Sequence, residues 1–190
     1  EGANIRLTSG EDLQIKTSRE SVQMQRPDLE SQHYEAELTG NLSLTNIQLH
    51  FERKDKPSLT ASNVTLPQSF AVTYPEEGFE VEFKDVVPLS WDAPQQAGKM
   101  ILVLQNKCKT SADAELVVTK ELELEDTGQY QLNTGEHSLD ADANLDKSKP
   151  CELNLTFRRT ASGTIDSGYA ANSAIKASQI RVRKLAFSFE

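Results

Sequence analysis

Residues 114–125 read "AELVVTKELELE". Leu116, Val118, Leu122 and Leu124 share one parity, and Glu115, Thr119, Glu121 and Glu123 share the other. A strand turns successive side chains to opposite faces, so a period of two describes a half-buried strand with one oily and one wet face. A helix would need its apolar residues three and four apart.

The same alternation continues on both sides of this stretch. "FEVEF" sets Phe79, Val81 and Phe83 against Glu80 and Glu82, and "VVPLSW" carries Val87, Leu89 and Trp91 inward. "CELNLTFRR" repeats the pattern with Leu153, Leu155 and Phe157. One-sided strands of this kind belong to antiparallel sheets with a single covered face. "MILVL", 100–104, is apolar on both parities and is expected in the interior of a sheet. Helical periodicity is almost absent. "RPDLESQHYEAEL" could open a short helix at Pro27, but Tyr34, Ala36 and Leu38 alternate, which favours a strand from about residue 33.

Two segments change parity midway. Leu42 and Leu44 give way to Ile47, Leu49 and Phe51, and Ile180 and Val182 give way to Leu185, Phe187 and Phe189. A strand that keeps its apolar set on the core side needs an extra residue at such a point, so bulges are expected near Thr45–Asn46 and Arg183–Lys184. Turn residues punctuate the chain at "TSGED", "LTGN", "YPEEG", "APQQAG", "DTG", "NTGEH" and "ASGTIDSG". The expected fold is all-β: a two-sheet antiparallel β-sandwich, jelly-roll or immunoglobulin-like, of about ten strands. One domain over 1–190 is expected, with 1–30 an extended arm or an edge hairpin.

Composition narrows the setting. Hydrophobic residues make up 37% of the 190 and net charge is −9; mean hydropathy is −0.53. Residues 151–190 hold six Lys/Arg against three acids, so the first 150 carry −12. That charge repels phosphate backbones, and the C-terminal arginines have no aromatics between them on which bases would stack, so no nucleic acid is expected as a partner. No apolar run reaches the ~18 residues of a transmembrane span. The opening "EGANIRL" reads as a mature or trimmed start. Two cysteines, Cys108 and Cys151, stand 43 residues apart without a CxxC motif, which suits one structural disulfide in an oxidising compartment.

"LDADANLDKSKPCE", 139–152, is the one stretch with metal-site spacing. Asp140, Asp142, Asn144 and Asp146 alternate as do the oxygen ligands of an EF-hand or dockerin calcium loop. The sixth position, where glycine makes the turn, is Leu145, and the twelfth, where a bidentate Glu belongs, is Cys151. A looser Ca2+ site and a solvated hairpin loop remain the two readings. The three histidines, His33, His50 and His137, are scattered, and no GxSxG, HExxH or phosphate-cradling glycine loop is present. Glu121 and Glu123 share a face, as on any solvated strand. An enzyme is therefore not expected. Aromatic ligand contacts are expected, if anywhere, at Tyr74 and at Tyr169, which lies in the small-residue loop 160–178. The arginines of "RR" and "RVRK" would form a basic stripe if they shared a face. Asn41, Asn63 and Asn154 are Asn-x-Ser/Thr sites that a bacterial origin would leave bare.

"ELEDTGQYQL" resembles the E–F corner of immunoglobulin-type domains, with Asp126, Gly128 and Tyr130 at the Asp-x-Gly-x-Tyr positions. The cysteine that follows in that family is Leu132 here, and Trp91 precedes both cysteines, so the likeness is local. It implies a turn at Gly128 and a Tyr130 hydroxyl reaching back to the backbone. Over roughly 86–189, "VPLSWDAPQQAGKMILVLQ", "DTGQYQL" and "LTFRRTASGTIDSGYAANSAIKASQIRVRKLAF" resemble a layout found in uncharacterised bacterial envelope lipoproteins. The resemblance implies a periplasmic or cell-surface setting and allows a lipid anchor, whose lipobox cysteine is not among these residues. A non-enzymatic structural or binding module is expected, with another envelope protein or a glycan as partner. The alternative is a carbohydrate-binding module using loop 160–178, with a structural calcium at 140–146.

Overall fold

The computed structural model describes residues 7–26, 34, 36–38, 42–96, 98–137, 139, 144–170 and 172–189. Among them there is no helix, and so none long and apolar enough to cross a membrane. The described residues form twelve strands in three sheets, mostly antiparallel. They are β1 (Asp12–Lys16), β2 (Ser21–Gln23), β3 (Asn46–Glu52), β4 (Leu59–Thr65), β5 (Val72–Tyr74) and β6 (Glu80–Glu82). They continue with β7 (Val86–Trp91), β8 (Lys99–Lys109), β9 (Glu115–Glu125), β10 (Gln129–Asn133), β11 (Cys151–Ser162) and β12 (Lys176–Ser188). The count exceeds the expected ten because β2 and β5 have three residues each, too few to show a period. The strand expected from about residue 33 falls largely outside the described residues, and Tyr34 and 36–38 lie in no strand.

The chain divides into two compact units. The first comprises Glu1–Ser69 and Thr160–Ser178, the second Phe70–Arg159 and Gln179–Glu190. In the first unit a four-stranded sheet runs β2-β1-β3-β4. Leu13, Phe51 and Leu59 bury together, and Ile47 and Val64 pack with Ala177. The loop between β11 and β12 is laid along β4. Asn63 and Thr164 exchange backbone bonds of 2.9 and 2.8 Å, and Gly163 comes so close that an added Cβ would lie 2.0 Å from the Asn63 carbonyl oxygen. Only glycine fits there.

In the second unit one sheet runs β10-β7-β5 and the other β6-β12-β11-β8-β9. Their apolar parities form one core: Val87, Leu89, Trp91 and Leu132 from the first, with Met100, Leu102, Leu104, Leu155, Phe157 and Phe187 from the second. The expected interior strand is β8, flanked by β11 and β9. Removing these side chains from water drives folding at roughly 25 cal/mol per Å² of apolar surface.

Neither expected bulge lies where the parity change placed it. β3 begins at Asn46, and Leu44 belongs to the preceding turn, at φ +57° and 58% exposed. The register of β3 against β4 shifts later, between Leu49 and Phe51. β12 keeps a single phase. Ala177, Leu185 and Phe187 are buried, Arg181 and Arg183 half-buried between them, and Ile180 and Val182 are exposed. The arginines fill inward positions because their stems pack while their heads find partners. Arg181 covers the Phe70 ring at 5.3 Å, and Arg183 donates to the Val72 carbonyl at 2.7 Å.

Cys108 and Cys151 form a disulfide, with Cα atoms 4.4 Å apart. Glu152 pairs Lys107 in the β8–β11 register, which brings the neighbouring Cys151 opposite Cys108. A closed loop with ends 43 residues apart stabilises the fold by about 4 kcal/mol in the chain-entropy account. Replacing both cysteines by serine is expected to lower unfolding free energy by roughly 3–4 kcal/mol, read from urea denaturation of the two forms.

Candidate functional site

The sequence-predicted metal ligands do not come together as a described site. Asp140 and Asp142 lie outside the described residues. Asn144 is exposed, and Asp146 follows the isolated bridge between Leu145 and Thr110. The Asp146 carboxylate accepts the Ser148 hydroxyl at 2.6 Å and the Ser148 backbone N–H at 3.1 Å, with Lys149 Nζ 3.6 Å away. Those hydrogen bonds from Ser148, and then the lysine, hold its pKa below the usual carboxylate value. Among the described residues no group of three or more His, Cys, Asp or Glu is placed to hold a metal ion.

Both candidate tyrosines face inward. Tyr74 packs against the core of the second unit, its ring edge-on to Phe79 at 5.2 Å. Tyr169 packs with Leu13, Phe51 and Leu59 in the first unit, its ring 6.2 Å from that of Phe51, and its hydroxyl is buried. Burial, then the neighbouring Asp166 carboxylate, raises the phenol pKa. Asp166 holds this loop in place. One of its carboxylate oxygens accepts the backbone N–H groups of Thr60 and Ala61 at 3.1 and 3.0 Å, and the other that of Gly168 at 3.0 Å. The Asp166 N–H donates to the buried Ser62 hydroxyl at 2.9 Å. The backbone donors, Gly168 first, draw the Asp166 pKa down. The segment from Gly163 to Gly168 is thus a strap clamped to β4.

The arginine stripe divides. Arg158 points outward to Glu121 at 3.2 Å, an exposed pair of small energetic consequence. Arg159 points inward and is 4% exposed. Its Nε donates to Asp126 Oδ2 at 2.5 Å, and its terminal nitrogen donates to Asp126 Oδ1 at 3.0 Å and to the Asp92 carbonyl at 2.8 Å. Trp91 Nε1 donates to the same Asp126 Oδ1 at 2.7 Å. The guanidinium lies over the Phe70 ring, 4.6 Å from its centre. The turn that presents Asp126 depends on Gly128, at φ +85°, where a Cβ would stand 3.0 Å from the Trp91 carbonyl oxygen. Gly128 therefore makes the turn expected of the corner motif, and Tyr130 packs against the core.

Sequence reading left this cluster out although a signal was present. Asp126 continues the inward parity of Leu122 and Leu124, and Arg159 that of Leu155 and Phe157. Two opposite charges one step beyond two apolar parities predict a buried pair. Of the histidines, His50 lies on β3, burial and then Lys16 holding its pKa below the usual value, and His33 lies outside the described residues. The Asn41 sequon also lies outside them. No family model matches this chain, and neither a curated protein nor a solved structure does so.

A buried ion pair is costly to break because one charge is left without a partner. Asp126→Asn and Arg159→Met are each expected to cost about 3–5 kcal/mol of stability. The double variant should cost clearly less than the two together. A double-mutant cycle by denaturant unfolding reads this coupling, and strict additivity would show that the two groups act apart.

Proposed function

We propose that this protein is a non-enzymatic module of the bacterial cell envelope, with a β-sandwich fold, that serves as a structural or binding element. The observation that carries the reading is the Cys108–Cys151 bridge between paired strands, because disulfides persist in oxidising compartments and are rare in the cytosol. The shared core of the three-stranded and five-stranded sheets supports the sandwich. A net charge of −9 keeps such a module soluble among anionic surface polymers. Its partner is another envelope protein or a glycan. A lipid anchor is compatible with this setting.

Carbohydrate binding is the second reading, and the strap from Gly163 to Gly168 favours it. A loop clamped by Asp166 before any ligand arrives loses little conformational freedom on binding. Tyr169, facing Phe51, acts there as the anchor of the strap rather than as a stacking platform. Calcium at 140–146 belongs to this reading alone.

Fractionation of the source cells, with free thiols blocked by an alkylating reagent before lysis, tests the leading reading. The chain is expected in the envelope fraction with neither cysteine alkylated; a cytosolic chain with two free thiols would overturn it. The same preparation, screened against glycans with and without millimolar calcium, separates the second reading from the first.

A further inference from the structure

We infer that the cleft between the β1–β2 turn and the turn preceding β3 is a binding site for an acidic saccharide. The inference deepens the reading of the protein as a binding module and rests on it. The cleft, of about 450 Å³, lies within the first unit and is lined by Lys16, Thr17, Ser18, Arg19, Leu44, Thr45, Asn46 and Gln48. That volume lies in the range of small-ligand sites.

The lining runs against the rest of the molecule. In a chain of net charge −9 it carries two cations and no carboxylate. Neither Lys16 nor Arg19 has an ion-pair partner among the described residues. A cation facing a cleft without a counter-charge is the ordinary recognition element for an oxyanion, and the arginine fork accepts a carboxylate or sulfate through two parallel bonds. The Thr17 hydroxyl is taken up within the hairpin turn, and the remaining polar groups are two hydroxyls, of Ser18 and Thr45, and two amides, of Asn46 and Gln48. Each both donates and accepts, as the hydroxyls of a sugar do. Leu44, more than half exposed, offers an apolar surface to the C–H face of a ring.

Both walls are ordered without a ligand. In the hairpin turn Thr17 N–H donates to the Glu20 carbonyl at 2.9 Å, and the Thr17 hydroxyl oxygen accepts the N–H groups of Arg19 and Glu20 at 3.1 Å each. Across the cleft Thr45 N–H donates to the Leu42 carbonyl at 3.0 Å, and the Thr45 carbonyl accepts Leu66 N–H at 2.9 Å. Between the walls Lys16 stands opposite Gln48 in the β1–β3 register, so the two side chains leave the sheet on one face. Leu44 holds a left-handed φ of +57°, a conformation that branched apolar side chains resist, and it does so in the cleft wall. Backbone strain retained at an exposed apolar residue marks a position where shape is kept for contact.

The charged group can come from a uronate or from a sulfate ester, and the test distinguishes them. The full chain is titrated calorimetrically at low salt with a uronate trisaccharide, with a sulfated disaccharide, and with the carboxyl-reduced neutral trisaccharide. At least one acidic probe is expected to bind in the micromolar to millimolar range, about tenfold or more tighter than the neutral one. The variant carrying K16Q and R19Q should lose about tenfold or more in affinity with its melting temperature unchanged, since the substituted heads do not support the core. Backbone amide shifts of Thr17, Thr45 and Gln48 on titration provide a second readout that needs no variant. Equal affinity for the neutral probe would overturn the proposal. Acidic-probe binding that survives K16Q and R19Q and leaves those amides unmoved would overturn the site while leaving the binding-module reading intact. No binding by any probe would overturn the site as well, and envelope fractionation would then still decide the broader reading.

Discussion

A carboxylate and a guanidinium, both taken out of water, constrain the larger unit more tightly than any single apolar contact. Asp126 and Arg159 have side chains 1% and 5% exposed. Charges so buried persist only when paired and fully hydrogen-bonded. The partners arrive from different places: Arg159 from β11, Asp126 from the turn after β9, and Trp91 and the Asp92 carbonyl from the end of β7. Apolar side chains tolerate a slipped sheet if volume is conserved, whereas this cluster does not. It fixes which end of β7 meets which end of β11, and so the register of one sheet over the other.

Much of the fold was legible because burial on one face of a strand writes a period of two into the chain. β7, β8, β9 and β11 follow that period, and their apolar parities are the core. The three-residue strands β2 and β5 were not legible, since a period needs length to be seen, whereas β6 was, because Phe79 and Phe83 extend its alternation. Parity also misled in β12, where Ile180 and Val182 face solvent and Arg181 and Arg183 face inward. Hydrophobicity alone cannot show that an arginine stem over Phe70 buries as well as an isoleucine.

The candidate sites were less legible, for a different reason. Spacing placed oxygen ligands at 140–146 but could not show that Asp146 would be engaged by Ser148. Loop length made 160–178 a candidate ligand-binding loop, yet Asp166 fastens to β4 and Tyr169 turns inward. The cleft at Lys16 and Arg19 carries no motif. Its residues come from two turns nearly thirty positions apart, and only the β1–β3 pairing brings them together. A scaffold of this kind is a rigid frame whose turns are left to recognise.

Hydrogen exchange at the buried cluster tests this account most directly, through the Arg159 Nε–H and Trp91 Nε1–H resonances in an NMR spectrum of the native chain. Both protons are predicted to exchange as slowly as the interior amides of β8, with Arg159 Nε–H shifted downfield by its carboxylate partner. Exchange at the rate of a solvated guanidinium, or a Trp91 indole proton lost as quickly as a free one, would contradict the claim that this pair locks the sheets.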